Sequence, residues 1–491
     1  MLFSELISTI EYSGSFSDRT ITAVTNNSLE ANDSAVFVCI KGFSTDGHLY
    51  ALDAYSRGCR CFVAEDPLDD LPDGASVITV KDCRQALALM SCKLYKDPSR
   101  EMTVIGITGT KGKTTTALMI KHVLDSVGIP TGYIGTSGVI FGDCKFESTN
   151  TTPESCRLQA YLRKMADSGI KCVAMEVSSQ ALALNRTLGT SFKACLFTNF
   201  SPDHIGKGEH ADLESYFEAK KKLFSEYSCD TAIANADDPR AEQMLSGCSA
   251  KKIFYSISSP SDLHAENIRL RRTSDMLGSS FTYLRGGKST PCSLPIPGDF
   301  NVYNALAAIA CTSLFGISDE AAADALSKIS IDGRFETVLT PKGSCFIIDY
   351  AHNGLSLTSV LKALRKYEPK RLICLFGSVG CRTQVRRLQM GAAAAKYADL
   401  SILTADNPDT EDPMSIIEDI ATQFDSESAY VAIPDRKEAI EYAYNISENG
   451  DIVLLAGKGH ERYQYVFGKR EYFCEREIVE DMISAELLLK K

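Results

Sequence analysis

A glycine- and lysine-rich octapeptide carries the clearest chemical signal in the chain: Thr108-Gly109-Thr110-Lys111-Gly112-Lys113-Thr114-Thr115. An apolar run precedes it, and a stretch with apolar residues at helical spacing follows it. This strand–turn–helix order predicts a phosphate-binding loop, in which backbone N–H groups face the anion, Lys113 reaches the β- and γ-phosphates and a hydroxyl ligates Mg²⁺. The strict pattern places a glycine at 107, where the chain has isoleucine, so the loop is a variant. We expect residues 109–115 to bind ATP; the alternative is an exposed turn.

Polar side chains follow two further strand-like runs. Glu176 lies at the end of the run 172–177, and Asp203-His204 follow the run 194–198. Carboxylate and imidazole groups at the carboxyl ends of parallel strands, beside a phosphate loop, are suited to binding Mg²⁺. Each of these residues alone is more often a structural hydrogen-bonding residue, but their joint occurrence in this order favours a metal site.

Such side chains need α/β domains to position them. Apolar runs of about five residues alternate with helical-period stretches, which is typical of domains with largely parallel sheets. At roughly 150 residues per domain, a chain of 491 residues suggests three domains. We predict an N-terminal domain over 1–97, an ATP-binding domain over 98–331 and a C-terminal Rossmann-like domain over 332–491.

The overall composition narrows the function classes. There are 52 Lys and Arg against 63 Asp and Glu, and a net charge of −11 argues against nucleic-acid or anionic-membrane partners. No stretch approaches the ~20 apolar residues that a membrane span needs, and the first residues lack the pattern of a secretory signal. The 17 cysteines are spread singly, without C-x-x-C, as expected for reduced thiols. We expect a cytoplasmic, monomeric enzyme.

The octapeptide also resembles the loop of the Mur ligases and folylpolyglutamate synthetases, which are three-domain, ATP-dependent amide-bond-forming enzymes. The resemblance implies that Glu176 and His204 bind a second Mg²⁺. It also implies that Lys220, in Tyr216–Lys221, is carbamylated and becomes a further oxygen ligand. Without the resemblance, Lys220 to Lys222 would indicate a solvated helix face. The loop between Asp203 and Tyr216 is longer than the family's usual form.

The second half of the chain carries further motifs in the family's order. They are Gly298–Ala305 (G-x-[FH]-N-x-x-N-A), Asp332–Glu336 (around GRxE) and Asp349–His352 (DYAH). The resemblance implies that Asn301 and Asn304 approach ATP and that Arg334 lies near its phosphates. It also implies that Asp349 faces the ribose or metal, with His352 beside it.

The N-terminal block resembles that of the MurE type, which holds the UDP part of UDP-MurNAc-L-Ala-D-Glu. Ser28 is retained, whereas Asn27 and Leu29 replace the usual Asp and Arg. Elements that resemble those holding the muramoyl-peptide are Asn150, Thr151, Thr152, Ser178 and Arg186. Hydroxyls and an arginine suit pyrophosphate and carboxylate groups. The implied reaction adds a diamino acid to the D-Glu carboxyl through an acyl phosphate, during peptidoglycan precursor synthesis.

The chain departs from its family's pattern in the amino-acid signature, the segment Asp406–Asp409. The implied amino-acid-binding residues are Arg382, Asp406, Asn407, Asp409, Gly457 and Glu461. Enzymes that use meso-diaminopimelate typically carry Arg where this chain has Asp409, whose charge would repel a distal carboxylate and attract an ammonium. We therefore expect L-lysine or L-ornithine as the acceptor. Cys381 and Asn353 also replace the family's usual residues.

Three alternatives remain open. The first is the same reaction with meso-diaminopimelate, and the second is a Mur-like paralogue that ligates another amine. The third, from another class, is a P-loop switch or transport ATPase, in which the amino-acid motifs would have no role. Both ATP and two Mg²⁺ ions are expected under the ligase interpretation.

Overall fold

The computed structural model describes residues 1–43, 45–202, 205–206, 209–273, 276–381 and 384–489. Their contacts divide them into two compact units. The first unit contains Met1–His264 and Asn304–Ser318, and the second contains Ala265–Tyr303 and the chain from Asp319 onward. The predicted three-domain boundaries remain a prediction.

The N-terminal part of the first unit is built around a five-stranded sheet. Its helices and strands are α1 (Phe3–Ile7), β1 (Ser13–Ser15), β2 (Ala23–Thr25), β3 (Ala35–Val38), α2 (Ala51–Ser56), β4 (Cys61–Ala64), β5 (Ser76–Thr79) and α3 (Cys83–Leu94). The strand order is β1-β5-β4-β3-β2, with β2 to β5 parallel and β1 antiparallel. Every residue of β3 and β4 is buried, as expected for parallel strands covered on both faces.

The remainder of the first unit is a larger, mainly parallel α/β layer. Its elements are β6 (Thr103–Thr108), α4 (Lys113–Ser126), β7 (Thr131–Gly135), β8 (Gly138–Phe141), β9 (Cys144–Phe146), α5 (Ser155–Asp167), β10 (Cys172–Glu176), α6 (Ser179–Ala183), β11 (Ala194–Phe197), α7 (Leu213–Ser225), β12 (Thr231–Asn235), α8 (Ala241–Met244), β13 (Lys251–Ser256) and the start of β14 (Leu263–Arg272). The neighbouring strands β13-β12-β11-β6-β10-β7 run parallel, and β8 and β9 follow as antiparallel strands. The carboxyl ends of β6, β10 and β11 therefore meet at one edge of the sheet.

The second unit contains most of β14 and a six-stranded sheet. The further elements are β15 (Leu277–Arg285), β16 (Lys288–Leu294), α9 (Phe300–Thr312, which continues into the first unit), α10 (Asp319–Leu326), β17 (Glu336–Leu339), β18 (Cys345–Asp349), α11 (Gly354–Arg365), β19 (Leu372–Phe376), α12 (Gln384–Tyr397), β20 (Leu400–Leu403), α13 (Pro413–Ala421), β21 (Tyr430–Ala432), α14 (Arg436–Ile446), β22 (Ile452–Ala456), β23 (Tyr463–Val466), β24 (Lys469–Tyr472) and α15 (Glu475–Leu489). The sheet order is β17-β18-β22-β19-β20-β21, with β17 antiparallel and the others parallel. The strands β23 and β24 form a separate hairpin.

Apolar side chains from strands and helices form a separate core for each of these sheets. This arrangement confirms the predicted α/β class. Among the residues that the structure describes, no helix is both long and apolar enough to cross a membrane.

Candidate active site

The phosphate loop connects β6 to α4, as predicted. Gly109 and Gly112 adopt φ values of +142° and +86°, which other residues rarely adopt. A Cβ atom on Gly109 would lie 2.0 Å from Thr198 Oγ1, and one on Gly112 would lie 2.4 Å from Asn304 Oδ1. Both backbone conformation and space therefore require glycine at these two positions.

The residues that follow β11 clamp this loop. Thr198 Oγ1 donates to Lys111 O at 2.7 Å, and Asn199 Nδ2 donates to the same carbonyl at 3.0 Å. Asn199 Oδ1 accepts from Lys111 N at 3.0 Å, and the Asn199 carbonyl accepts from Thr110 N at 2.8 Å. Thr198 and Asn199 were not predicted as site residues, although their position at the end of a strand beside the loop was the available signal.

Two predicted lysines converge on the loop. Lys113 Nζ and Lys220 Nζ each donate to the Gly109 carbonyl at 2.9 Å, and Lys113 also donates to Thr110 O at 3.1 Å. Lys220 is 1% exposed and lies over the Tyr216 ring, with Nζ 4.2 Å from the ring centroid. Lys220 therefore does not occupy a solvated helix face. The Lys113 ammonium beside backbone N–H groups gives this loop positive charge suited to a polyphosphate.

Glu176 ends β10 directly beside the loop-bearing strand, since its Cα is paired with that of Ile107. Its Oε1 accepts hydrogen bonds from Tyr133 Oη at 2.6 Å and Thr136 N at 3.0 Å, and its Oε2 accepts one from Thr136 Oγ1 at 3.3 Å. A carboxylate offers about four lone-pair positions, so three hydrogen bonds leave one for a cation. Neither Tyr133 nor Thr136 was predicted from the sequence, because nothing in their local pattern indicates contact with Glu176.

The segment predicted to hold the muramoyl-peptide adjoins Glu176. Thr152 Oγ1 donates to the Glu176 carbonyl at 2.8 Å and accepts from Ser178 N at 3.1 Å. The Thr151 hydroxyl lies 3.2 Å from Thr136 Oγ1, and the Asn150 carbonyl accepts from Ser148 Oγ at 2.6 Å. The structure thus brings the predicted substrate-binding hydroxyls next to the predicted metal-binding carboxylate.

Arg186 is buried against the same segment. It donates to the Thr152 carbonyl at 3.3 Å and forms an ion pair with Glu154 Oε1 at 2.8 Å. Among the described residues, its Nε atom has no hydrogen-bond partner. Burial lowers the pKa of the guanidinium from its ordinary value. An Arg with an unpaired donor suits an anionic group of the substrate.

Other predicted residues of the first unit lie in distinct positions. Ser28 is buried at the start of a 3₁₀ turn and hydrogen-bonds to the Asp53 carboxylate, whose pKa it lowers. Asn304 accepts from Thr116 Oγ1 at 3.2 Å and so lies beside the phosphate loop. His204, and Arg382 in the second unit, lie outside the described residues.

Three predicted motifs of the second unit pack together around Asp349. Its carboxylate accepts from Phe335 N and Ala351 N, both at 2.9 Å, and its carbonyl accepts from Gly457 N at 3.0 Å. The Arg334 guanidinium carbon lies 4.8 Å from the centroid of the Tyr350 ring. These contacts join the GRxE and DYAH motifs to the segment Gly457–Glu461 (GKGHE), and the three are far apart in sequence.

The side chains of His352 and Asn301 make local contacts within the second unit. His352 Nδ1 lies 2.8 Å from the Tyr350 carbonyl, and burial lowers the pKa of the imidazole from its ordinary value, which favours the neutral ring at pH 7. Asn301 Nδ2 donates to the Pro297 carbonyl at 2.6 Å. An approach of either side chain to ATP remains a prediction.

Four of the predicted amino-acid-binding residues, Asp406, Asn407, Gly457 and Glu461, form a second cluster in this unit. Asn407 Nδ2 donates to Glu461 Oε2 at 3.1 Å, and a Cβ on Gly457 would lie 2.9 Å from Asp406 Oδ2. Asp409 has a φ of +55°, and its N–H donates to the Tyr465 carbonyl at 3.0 Å. The hairpin β23–β24 is thereby attached to the signature segment.

The glycine-rich loop between a parallel strand and a helix, with two lysines directed at it, defines a P-loop nucleotide-dependent protein. Comparison with known families assigns the chain to a narrower class of proteins. The Mur ligase middle domain matches residues 107–312, and the Mur ligase glutamate ligase domain matches residues 333–459. Together with the relatives described next, these matches show that the chain belongs to the Mur ligase family and is of the MurE type, a group of ATP-dependent acid–amino-acid ligases.

Individual relatives cover nearly the whole chain. A UDP-N-acetylmuramoyl-L-alanyl-D-glutamate–2,6-diaminopimelate ligase of Clostridium botulinum is 37% identical, over 94% of this chain and 95% of its own length. The ligase of the same name from Caldanaerobacter subterraneus is 38% identical, with the same coverage. A solved structure of a ligase with this name shares 29% identity, covers 95% of both chains and has a TM-score of 0.68.

Proposed function

We propose that this protein uses ATP to join meso-diaminopimelate to the D-Glu carboxyl of UDP-MurNAc-L-Ala-D-Glu, in bacterial cytoplasmic synthesis of peptidoglycan precursors. The observation that carries the ligase activity is the convergence of four features in the first unit. They are the phosphate loop, Lys220, the Glu176 carboxylate and the hydroxyl of Thr152. The choice of acceptor is supported by the names of the relatives.

The proposed chemistry has two steps. The D-Glu carboxylate attacks the γ-phosphorus of ATP, the bond to the β–γ bridging oxygen breaks, and ADP leaves an acyl phosphate. The neutral amine of the acceptor then attacks the acyl carbon, and inorganic phosphate leaves as the amide forms. In this scheme Lys113 holds the β- and γ-phosphates, Thr152 and Arg186 orient the UDP-linked peptide, and Glu461 binds an ammonium of the acceptor.

The side chains around the loop fit a magnesium requirement. Glu176 keeps acceptor capacity, and Thr114 places a hydroxyl in the first turn of α4, so both offer the hard oxygen ligands that Mg²⁺ prefers. When bound, two Mg²⁺ ions would neutralise charge on the phosphates. His204 and a carbamylated Lys220 complete the proposed ligand set. Lys220 requires the modification, because an ammonium has no lone pair to offer a metal.

L-Lysine or L-ornithine is the second candidate acceptor, and Asp409 is the observation that favours it. The half-buried Asp409 carboxylate lies in the signature segment beside Asn407, which contacts Glu461. A negative charge there would repel the distal carboxylate of diaminopimelate and attract a terminal ammonium. The relatives outweigh this single position, so diaminopimelate remains the proposed acceptor.

The test is phosphate release by the purified protein with Mg-ATP and UDP-MurNAc-L-Ala-D-Glu. The acceptor panel contains meso-diaminopimelate, L-lysine, L-ornithine and monoamine controls, and each reaction is checked for the tripeptide by mass spectrometry. We expect release that requires diaminopimelate. Release with lysine or ornithine alone would change the acceptor but keep the ligase activity. Absence of release with every acceptor would support a paralogue, and release from ATP alone would support an ATPase switch.

The variant Asp409→Arg tests the signature position directly. We expect it to lower the KM for diaminopimelate relative to that for lysine, because a guanidinium replaces a repelling carboxylate. Asp409→Asn is the matched control that removes the charge without adding one. Equal acceptor preference in all three proteins would show that position 409 does not contact the distal group.

A further inference from the structure

A fully buried lysine lies at the centre of the acceptor cluster. Lys458, in the GKGHE motif, is 0% exposed. Its Nζ donates to Asn407 Oδ1 at 3.0 Å and lies 3.5 Å from Glu461 Oε2 and 3.7 Å from Asp406 Oδ1. Burying an ammonium is costly unless it is paired and hydrogen-bonded. These three contacts offset that cost, and packing alone does not explain why a lysine lies at this position.

The lysine and Asn407 together hold one oxygen of Glu461. Asn407 Oδ1 accepts from Lys458 and from Tyr465 N at 3.0 Å, which orients the amide so that its Nδ2 donates to Glu461 Oε2 at 3.1 Å. Within the described part of the chain, the polar contacts of the Glu461 side chain fall on Oε2. The Oε1 atom therefore remains available to a ligand, and 15% of the Glu461 side chain is exposed.

The charges of the cluster sum to a negative value. The two acids Asp406 and Glu461 face one base, Lys458, so the three side chains carry a net charge of −1. Burial raises the pKa of Glu461, and Asp406 raises it further, whereas Lys458 lowers it. The lysine therefore favours an ionised Glu461 while leaving one negative charge for an incoming ammonium.

A second buried pair fixes the backbone that carries the cluster. Arg436 pairs with Glu475 Oε1 at 2.8 Å and donates to the carbonyls of Ala405 and Ala456, at 3.0 Å and 2.8 Å. These carbonyls directly precede Asp406 and Gly457. Arg436 thus joins the segments after β20 and β22, and Lys458 joins the side chains that these segments carry.

We propose that Lys458 is a positioning residue for the acceptor amino acid: it holds Glu461 and Asn407 so that Glu461 Oε1 receives the ammonium that selects a diamino acid. This inference rests on the proposed function, because it deepens the assignment of the acceptor site. Lys458 acts through Glu461 and does not itself contact the acceptor.

The experiment is a double-mutant cycle with Lys458→Met, Glu461→Gln and the double variant, measured as KM for the acceptor, ATP and the UDP-substrate. We expect each single variant to raise the acceptor KM about tenfold or more and to change the other two KM values less than about twofold. The double variant should resemble Glu461→Gln, because Lys458 acts through that carboxylate. Lys437→Met is the matched control, since Lys437 is exposed on α14, and it should behave as wild type.

The outcomes separate this inference from the proposed function. A wild type that ligates an amino acid, together with an unchanged acceptor KM in Lys458→Met, overturns the positioning role alone. An equal rise in all three KM values with a lowered melting temperature shows a structural role and also overturns it. A wild type that ligates no amino acid overturns the proposed function and this inference with it.

Folding of the variant does not limit the test. Removing both partners of a buried pair is tolerated better than removing one, so the double variant should fold even where Lys458→Met does not. The comparison is then between Glu461→Gln and the double variant. An acceptor KM about tenfold higher in the double variant would show that Lys458 acts independently of Glu461, and would contradict the proposal.

Discussion

Replacement of Tyr133 by phenylalanine tests how much the Tyr133 hydroxyl stabilises Glu176, the predicted metal-binding carboxylate. Tyr133 is fully buried, and its hydroxyl donates to Glu176 Oε1 at 2.6 Å and accepts from Ser137 N at 3.2 Å. The substitution removes one oxygen atom and leaves the ring in place. It therefore tests the hydrogen bonds without opening a large cavity.

The expected loss in the free energy of unfolding follows from the two hydrogen bonds. A hydrogen bond to a charged group contributes about 1.5–3 kcal/mol, and a neutral one about 0.5–1.5 kcal/mol. Loss of both should lower the free energy of unfolding by about 2–4.5 kcal/mol. Glu176 retains its contacts with Thr136, so we do not expect the fold to be lost.

Tyr283→Phe provides a matched control for this prediction. Tyr283 is equally buried, and its hydroxyl donates to the neutral Asp319 carbonyl at 2.7 Å, so the expected loss is only about 1 kcal/mol. The chain contains no tryptophan, so far-UV circular dichroism in urea reports global unfolding. Hydrogen exchange of peptides covering 131–137 and 172–178 reports the local effect, because a chain with two units can unfold in steps. A cost for Tyr133→Phe no greater than that for Tyr283→Phe would refute the reasoning.

Three further predictions concern the loop, Lys220 and an ion pair. Asn199→Ala should raise the KM for ATP about tenfold, with an unchanged KM for the UDP-substrate in initial-rate assays, because it removes both side-chain contacts with Lys111. Lys220→Ala should abolish phosphate release, with partial recovery on addition of a short carboxylic acid; unchanged activity would exclude a metal-ligand role. Arg387 lowers the pKa of Glu411 from its ordinary value of 4.5 through a bidentate contact. The stability that this pair contributes is complete above pH 4.5 and is lost as the pH falls through the lower folded pKa. Arg387→Met should therefore cost about 1–3 kcal/mol in urea unfolding at pH 7, and the difference from wild type should shrink below about pH 4; a difference independent of pH would contradict this assignment.

The parallel strands could be predicted because their signal is local. Short apolar runs bounded by polar residues predict buried strands, and the runs at 172–177 and 194–198 agree with β10 and β11 to within one residue. The strands β14 to β16, of which β15 and β16 pair antiparallel, were not predicted. Their faces alternate between buried and exposed residues, and β14 carries charged residues such as Arg269 and Arg271, so no continuous apolar run marks them.

Residues that belong to a motif could be proposed as site residues from the sequence, whereas the residues that contact and orient them could not. The structure places Lys113 and Lys220 at the loop and Glu176 on the adjacent strand, and their roles in the site remain predictions. By contrast, Tyr133 reaches Glu176 across 43 positions, and the role of Lys458 depends on residues 51 positions away. Contacts between residues distant in sequence depend on strand order, which a local pattern does not specify.

The phosphate loop and position 409 are constrained in different ways. Gly109 cannot accept a side chain, because a Cβ would overlap Thr198 and its φ lies in the left-handed region. Asp409 is held through its backbone, since its N–H donates to Tyr465 and its carbonyl accepts from Phe467 N. An aspartate tolerates the left-handed conformation at position 409 better than most residues. The described hydrogen bonds of Asp409 therefore come from its backbone, so a substitution of its side chain acts mainly on the charge offered to the acceptor. The glycines of the loop are thus required by the fold, whereas the identity of the acceptor has to be measured.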